Sequence, residues 1–141
     1  MKWYVPLVAS ALVYIVALFL PALHGGGSHV IGFVLLVLGW VQSHNGECYA
    51  WFANPVFLAG FFAFALRRFK VALCCAALAC LIGLDTFRAT VFSLNEAGND
   101  VAIEHVGAAF YVWELSFIVL LFASIRMMSI GASPPSRDDA V

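Results

Sequence analysis

Three ionisable residues stand inside apolar runs of the sequence: Asp85, Arg88 and Glu114. A charge at the middle of a bilayer costs at least about 2.5–3.5 kcal/mol, so such groups usually face protein or water and find partners. Asp85 and Arg88 are three residues apart, which places them on one helical face and lets them pair. At about 1.5 Å per residue, Asp85 and Glu114 reach nearly the same depth. The sequence therefore predicts one intramembrane polar cluster.

Two kinds of chemistry fit this cluster. Two carboxyl groups beside one guanidinium leave a negative charge, so either one carboxyl is protonated or another cation visits the site. Such a site would bind a proton or a cation and open to the outer face. The other interpretation is a structural clamp that fixes the packing of the last two helices. The clamp is the default expectation, because most polar groups inside membranes are simply paired.

The elements that must position these residues follow from the composition. Of 141 residues, 64% are hydrophobic and 11% are charged, against roughly 45–50% and 25% in a soluble domain. Each run of about 20 apolar residues can satisfy its own backbone as a helix in lipid. We therefore expect an all-α membrane protein, with residues 1–128 as a single polytopic domain. The net charge of −1 gives no indication of nucleic-acid binding.

Four transmembrane helices are predicted, approximately at residues 3–23, 50–67, 70–94 and 106–126. Residues 30–42 would cover only about 20 Å as a helix, short of the roughly 30 Å hydrocarbon core. They are expected to form a short interfacial or re-entrant half-helix on the outer side, the alternative being a fifth span. Residues 24–29 are expected to be a flexible loop, and residues 129–141 a disordered cytoplasmic tail.

The cations Arg67, Arg68 and Lys70 determine the predicted orientation. Cytoplasmic loops carry the excess of Lys and Arg, so both termini are expected in the cytoplasm and the acidic loop 95–105 outside. Lys2 is also cytoplasmic only if residues 30–42 do not cross, which favours four spans over five. The predicted location is the inner (plasma) membrane, with several crossings.

No metal, cofactor or enzyme activity is predicted. The four histidines fall in the predicted outer loops without a His-x-x-x-His spacing, and we interpret them as a scatter: His24, His29, His44 and His105. The sequence contains neither a Gly-x-Ser-x-Gly nor a His-Glu-x-x-His motif. Small residues along 72–83 are typical of close helix packing in membranes.

The segment Ala50-Trp51-Phe52-Ala53-Asn54-Pro55 begins the second span, with Asn54 expected as the N-cap. Together with Tyr111-Val112-Trp113 in the last span, it resembles small bacterial inner-membrane proteins of four helices that have no known activity. The resemblance covers most of residues 30–124 and implies a four-helix fold, but it brings no functional residue. Glu114 departs from it, since an uncharged residue is expected after the Tyr-x-Trp pair.

Three function classes remain open. The first, which we favour, is an accessory or interaction component of a membrane assembly. The second is a protein that binds or moves protons or cations through Asp85, Arg88 and Glu114. The third is an immunity-type protein against a pore-forming toxin, which rests on analogy alone. The expected partners are the lipid bilayer and either another membrane protein or further copies of the chain.

Overall fold

A computed structural model describes residues 2–44, 48–93 and 100–131. Helices dominate this part of the chain, and short strands join them. The helices are α1 (Val5–Phe19), α2 (Gly32–His44), α3 (Ala53–Ala65), α4 (Phe69–Gly83) and α5 (Ala108–Gly131). The strands are β1 (Pro21–Gly25), β2 (Ser28–Ile31), β3 (Val91–Ser93), β4 (Asp100–Ala102) and β5 (His105–Val106). Two 3-10 segments, Ala50–Phe52 and Leu84–Arg88, precede α3 and follow α4.

Among the described residues, two helices are long and apolar enough to cross a membrane. They are Phe69–Arg88, with 20 residues, and Ala108–Ile130, with 23 residues. The other apolar helices, Val5–Phe19, Gly32–Val41 and Ala50–Ala65, are shorter. The chain is therefore mostly helical and compatible with a membrane, and it also contains a small sheet that the sequence did not predict.

Three predicted boundaries differ from the structure. The first predicted span, 3–23, ends as a helix at Phe19, because Pro21–Gly25 form strand β1. The third predicted span, 70–94, stops at Arg88, because Val91 and Phe92 instead pair with β4 as an antiparallel strand. At the other end, α5 continues through Gly131, so residues 129–131 of the predicted disordered tail are helical. Residues 132–141 of that tail lie outside the described residues.

Close helix contacts depend on small residues. α5 packs against α1 and α4, and α3 packs against α4. The small residues that the sequence predicts to pack closely are buried in α4 at Ala72, Ala76, Ala79 and Gly83. A Cβ atom at Gly60 of α3 would lie only 2.8 Å from the Cβ of Cys75. The backbones of α3 and α4 can therefore approach closely, as is typical of membrane helices.

Strand pairing defines one end of the packed helices. β1 lies between β2 and β5 and is antiparallel to both. Because β1 follows α1 and β5 precedes α5, the last turn of α1 lies beside the first turn of α5. The Cys48 thiol donates to the Asp85 carbonyl oxygen at 3.5 Å, which brings the start of α3 beside the end of α4. We call this common end, with its five strands, the sheet end.

The turn between β1 and β2 contains two glycines with positive φ, 57° at Gly26 and 75° at Gly27. Two such residues form the tight hairpin turn whose twist matches that of paired strands. Gly25 therefore pairs with Ser28, and His24 with His29. The prediction that residues 24–29 are a flexible loop is wrong, because the glycines close a hairpin.

Helix α2 occupies the place of the predicted half-helix and stays near the sheet end. Its first residue, Gly32, packs on the backbone of Ala17, and Gly39 packs on the ring of Trp51. The Trp51 indole N–H also donates to the Leu36 carbonyl oxygen at 2.8 Å. Ala17 lies in the last turn of α1 and Trp51 precedes α3, so both contacts lie at the same end of the packed helices.

The opposite end carries the predicted topology-determining cations, and we call it the cationic end. Arg67 lies between α3 and α4 with a φ of 59°, a conformation that glycine usually supplies at a helix C-terminus. The Arg68 N–H donates to the Ala63 carbonyl oxygen at 2.8 Å, which closes this turn. The Arg67 guanidinium stacks 5.2 Å from the ring centroid of Trp3, so the start of α1 lies beside the turn.

Candidate functional site

A buried amide joins three helices near the sheet end. Asn54 of α3 is only 7% exposed. Its Oδ1 atom accepts hydrogen bonds from the Tyr14 hydroxyl at 2.7 Å and from the Trp113 indole N–H at 2.9 Å. Its Nδ2 atom donates to the Trp51 carbonyl oxygen at 3.0 Å. We call Tyr14, Asn54 and Trp113 the amide node.

The predicted N-cap role of Asn54 is wrong. The 3-10 segment Ala50–Phe52 runs directly into α3, and the N-cap position falls on Phe52. Helical geometry therefore begins before Asn54, which frees its side chain to point into the protein. The amide reaches across helices instead of capping its own.

Asp85 and Arg88 form the predicted pair, with 3.0 Å between the guanidinium and the carboxylate. The Arg88 side chain is 68% exposed and that of Asp85 is 17% exposed, so the pair lies at the surface of the sheet end. The other carboxylate oxygen of Asp85 accepts from the Tyr49 N–H at 2.6 Å. Asp85 therefore fastens the segment before α3 to the end of α4, rather than joining the last two helices.

Glu114 is the buried carboxyl group of the predicted cluster, at 8% exposure. Its side chain packs in direct contact with Gly83, where a Cβ atom would overlap Oε1. The Cys80 side chain lies beside this carboxyl group. Oε1 itself has no hydrogen-bond partner within the described residues, and an unsatisfied buried polar atom costs about 1–3 kcal/mol.

The structure does not bring all three predicted residues into one cluster. Glu114 contacts Gly83, two positions before Asp85, so the two carboxyl groups lie at neighbouring levels along the α4 segment. The side chains nevertheless diverge, because Asp85 bonds to Arg88 and Tyr49 while Glu114 faces Cys80. In the described part of the chain, no ion pair joins Glu114 to Arg88.

An apolar cavity of about 110 Å³ lies between α2 and the other helices. Leu35, Leu36 and Gly39 of α2 form one wall, and Phe92 and Phe110 contribute to the opposite wall. An apolar cavity of comparable size, about 150 Å³, stays dry and takes up small apolar molecules. The inner face of α2 is therefore only partly packed against the rest of the protein.

Three of the four histidines are neighbours in the sheet, and the prediction of a scatter is wrong for them. His24 of β1 pairs with His29 of β2 and with His105 of β5. The rings of His24 and His105 are stacked with centroids 4.3 Å apart, and those of His24 and His29 are 6.0 Å apart. The side chain of His44 lies outside the described residues. We call the other three the histidine row.

Sequence reasoning missed the amide node and the histidine row for different reasons. A Gly-Gly pair between apolar runs is a recognised hairpin signal, and it would have placed His24 opposite His29. The pairing of His24 with His105 joins distant segments and leaves no local signal. The node likewise depends on how α1, α3 and α5 are rotated about their axes.

Comparison with protein-family models, with curated proteins and with solved structures finds no match. The resemblance to small four-helix inner-membrane proteins therefore stays a prediction. What the fold and the site define is a mostly helical chain with two helices of membrane-spanning length, a small sheet at one end and a buried amide node beneath it.

A double-mutant cycle tests the amide node. Asn54→Leu leaves the Tyr14 hydroxyl and the Trp113 N–H without their acceptor, so it should destabilise the protein by about 1–3 kcal/mol. Tyr14→Phe removes one donor and should cost less. The double variant should lose less stability than the sum of the losses in the two single variants. The difference, which is the coupling energy, should be about 0.5–1.5 kcal/mol. Additive losses in detergent-unfolding titrations would contradict the node.

Proposed function

We propose that the chain is a multi-pass membrane protein in which α1, α3, α4 and α5 cross the bilayer. It serves as an accessory component of a membrane assembly and binds another membrane protein through α2. The exposed face of α2 carries this proposal. Phe33 is 53% exposed, Val37 is 51% exposed and Val41 is 36% exposed, and their i, i+4, i+8 spacing puts them on one side of the helix.

The character of α2 supports a protein partner. A helix that lies in the membrane interface normally turns a strongly polar or charged face to water. Residues 32–41 contain no charged or polar side chain other than the Trp40 indole. α2 also packs on Ala17 and Trp51, which both lie at the sheet end. An apolar stripe of this spacing is the form in which helices dock into partner grooves.

The positions of the charges support four crossings with the sheet end outside. Arg67, Arg68 and Lys70 are together with the start of α1 at the cationic end, which the positive-inside rule assigns to the cytoplasm. Arg88 is the described cation at the other end, and it is paired with Asp85. Because α2 begins and ends near the sheet end, α1 and α3 both reach the cytoplasm.

Reporter insertions test this topology. Alkaline phosphatase, active only outside, and a fluorescent protein, active only in the cytoplasm, are inserted after Gly27, Gln42 and Arg67. The first two positions should report the outside and the third the cytoplasm. If Gly27 and Gln42 report opposite sides, α2 crosses the membrane and the four-span arrangement fails.

Site-specific photocrosslinking tests the binding face. A photoreactive phenylalanine at Phe33 should yield one discrete protein adduct in native membranes, identified by mass spectrometry. The matched control is Phe122 of α5, which is 63% exposed and should face lipid and give no protein adduct. Equal lipid labelling at both positions would contradict the proposal, and an adduct at twice the mass would make the partner a second copy of the chain.

Glu114 supports a second candidate function, a proton-binding site. Its Oε1 atom is buried and has no hydrogen-bond partner among the described residues, and Gly83 leaves room for it. In the neutral form the carboxyl group could occupy this site without the cost of a buried charge. Asp85 and Arg88 do not belong to this site, because they satisfy each other at the sheet end.

Dicyclohexylcarbodiimide tests the second candidate, because it modifies neutral carboxyl groups in apolar surroundings. The intact protein in liposomes should gain one adduct that maps to Glu114, and a pH-sensitive dye should report proton flux. Glu114→Gln should lose both, whereas the control Asp85→Asn should retain the adduct. An unmodified Glu114, or flux that survives Glu114→Gln, would exclude a proton role and leave a packing contact.

A further inference from the structure

The histidine row is the group of metal-binding side chains that neither proposed function uses. Residues directly opposite each other in antiparallel strands project from the same face, with Cβ atoms about 4.5–5.5 Å apart. His24 is the middle residue, since it is paired on both sides. Three imidazoles from three adjacent strands therefore project from one face of the sheet.

We propose that His24, His29 and His105 bind a late first-row divalent metal ion such as Zn²⁺ or Cu²⁺. Imidazole is the commonest protein ligand for these ions. The sheet supplies the ligands on paired backbones, so little backbone ordering is needed on binding. His24 and His105 are the primary ligands because their rings are closest, and His29 completes the site.

Side-chain rotation assembles the ligands. Within the described residues, no three His, Cys, Asp or Glu side chains are arranged to hold a metal ion in their present rotamers. The rings of His24 and His105 lie nearly parallel, at 11°. His29 and His105 are exposed, so both can turn toward His24 without disturbing the core.

A carboxylate lies beside the row and favours a cation there. The Gly26 N–H donates to Oε1 of Glu104 at 3.3 Å, and the Glu104 N–H donates to the His24 carbonyl oxygen at 2.8 Å. Glu104 therefore adds a negative charge next to His24 and His105. Across the hairpin, the backbone of β4 packs against Gly25, which holds β1 in place under the histidines.

Metal titration of the full chain tests this site. The protein is purified in detergent through a tag without histidine and titrated with Zn²⁺ by calorimetry. One equivalent should bind, and His24→Ala should weaken binding by more than about tenfold. His29→Ala should weaken it less, because His24 and His105 remain. The matched control, His44→Ala, removes a histidine outside the sheet and should leave the affinity unchanged.

Electron paramagnetic resonance with Cu²⁺ tests the same site without any mutation. The unmodified protein should show coupling to at least two imidazole nitrogens, so the test holds even if His24→Ala does not fold. Coupling to no nitrogen would overturn the proposal, as would a change of less than about twofold in a folded His24→Ala variant. Either result would leave the topology and the binding face of α2 untouched.

Discussion

One amide oxygen, Oδ1 of Asn54, makes three helices depend on each other. It accepts from α1 and from α5 at once, and a buried donor left without an acceptor is costly. The rotation and height of α1 and α5 relative to α3 are therefore tightly constrained. The aromatic core follows from this alignment. Tyr14 stacks on Phe57 at 5.1 Å, and Phe57 packs on Phe117 at 4.8 Å.

The same alignment builds the sheet end. With α1 and α5 held in register, the strand after one meets the strand before the other, and Leu23 pairs with Val106. The hairpin turn at Gly26 and Gly27 then returns the chain as β2, which leads directly into α2. The exposed apolar face of α2 and the histidine row are thus both consequences of helix packing deeper in the protein.

Local features could be predicted from the sequence, and features that depend on rotation between helices could not. The three-residue spacing of Asp85 and Arg88 predicted their pairing, and the apolar runs predicted helices near the observed positions. The divergence of Glu114 from that pair depends on which face α5 turns to α4, which composition does not determine. The hairpin of residues 21–31 was predictable, since its Gly-Gly signal is local, but the prediction takes residues 24–29 as a flexible loop.

The carboxyl groups of Asp85 and Glu114 differ in a way that bears on function. Both carboxylate oxygens of Asp85 accept hydrogen bonds, one from Arg88 and one from the Tyr49 N–H. Holding these two segments together is therefore enough to explain why a carboxylate stands at this position. In the part of the chain that the structure describes, Glu114 retains an oxygen without a hydrogen-bond partner beside Gly83. A purely packing role would be served as well by an apolar side chain of similar volume. Of the three residues in the predicted cluster, Glu114 is therefore a better candidate for a functional group than Asp85 or Arg88.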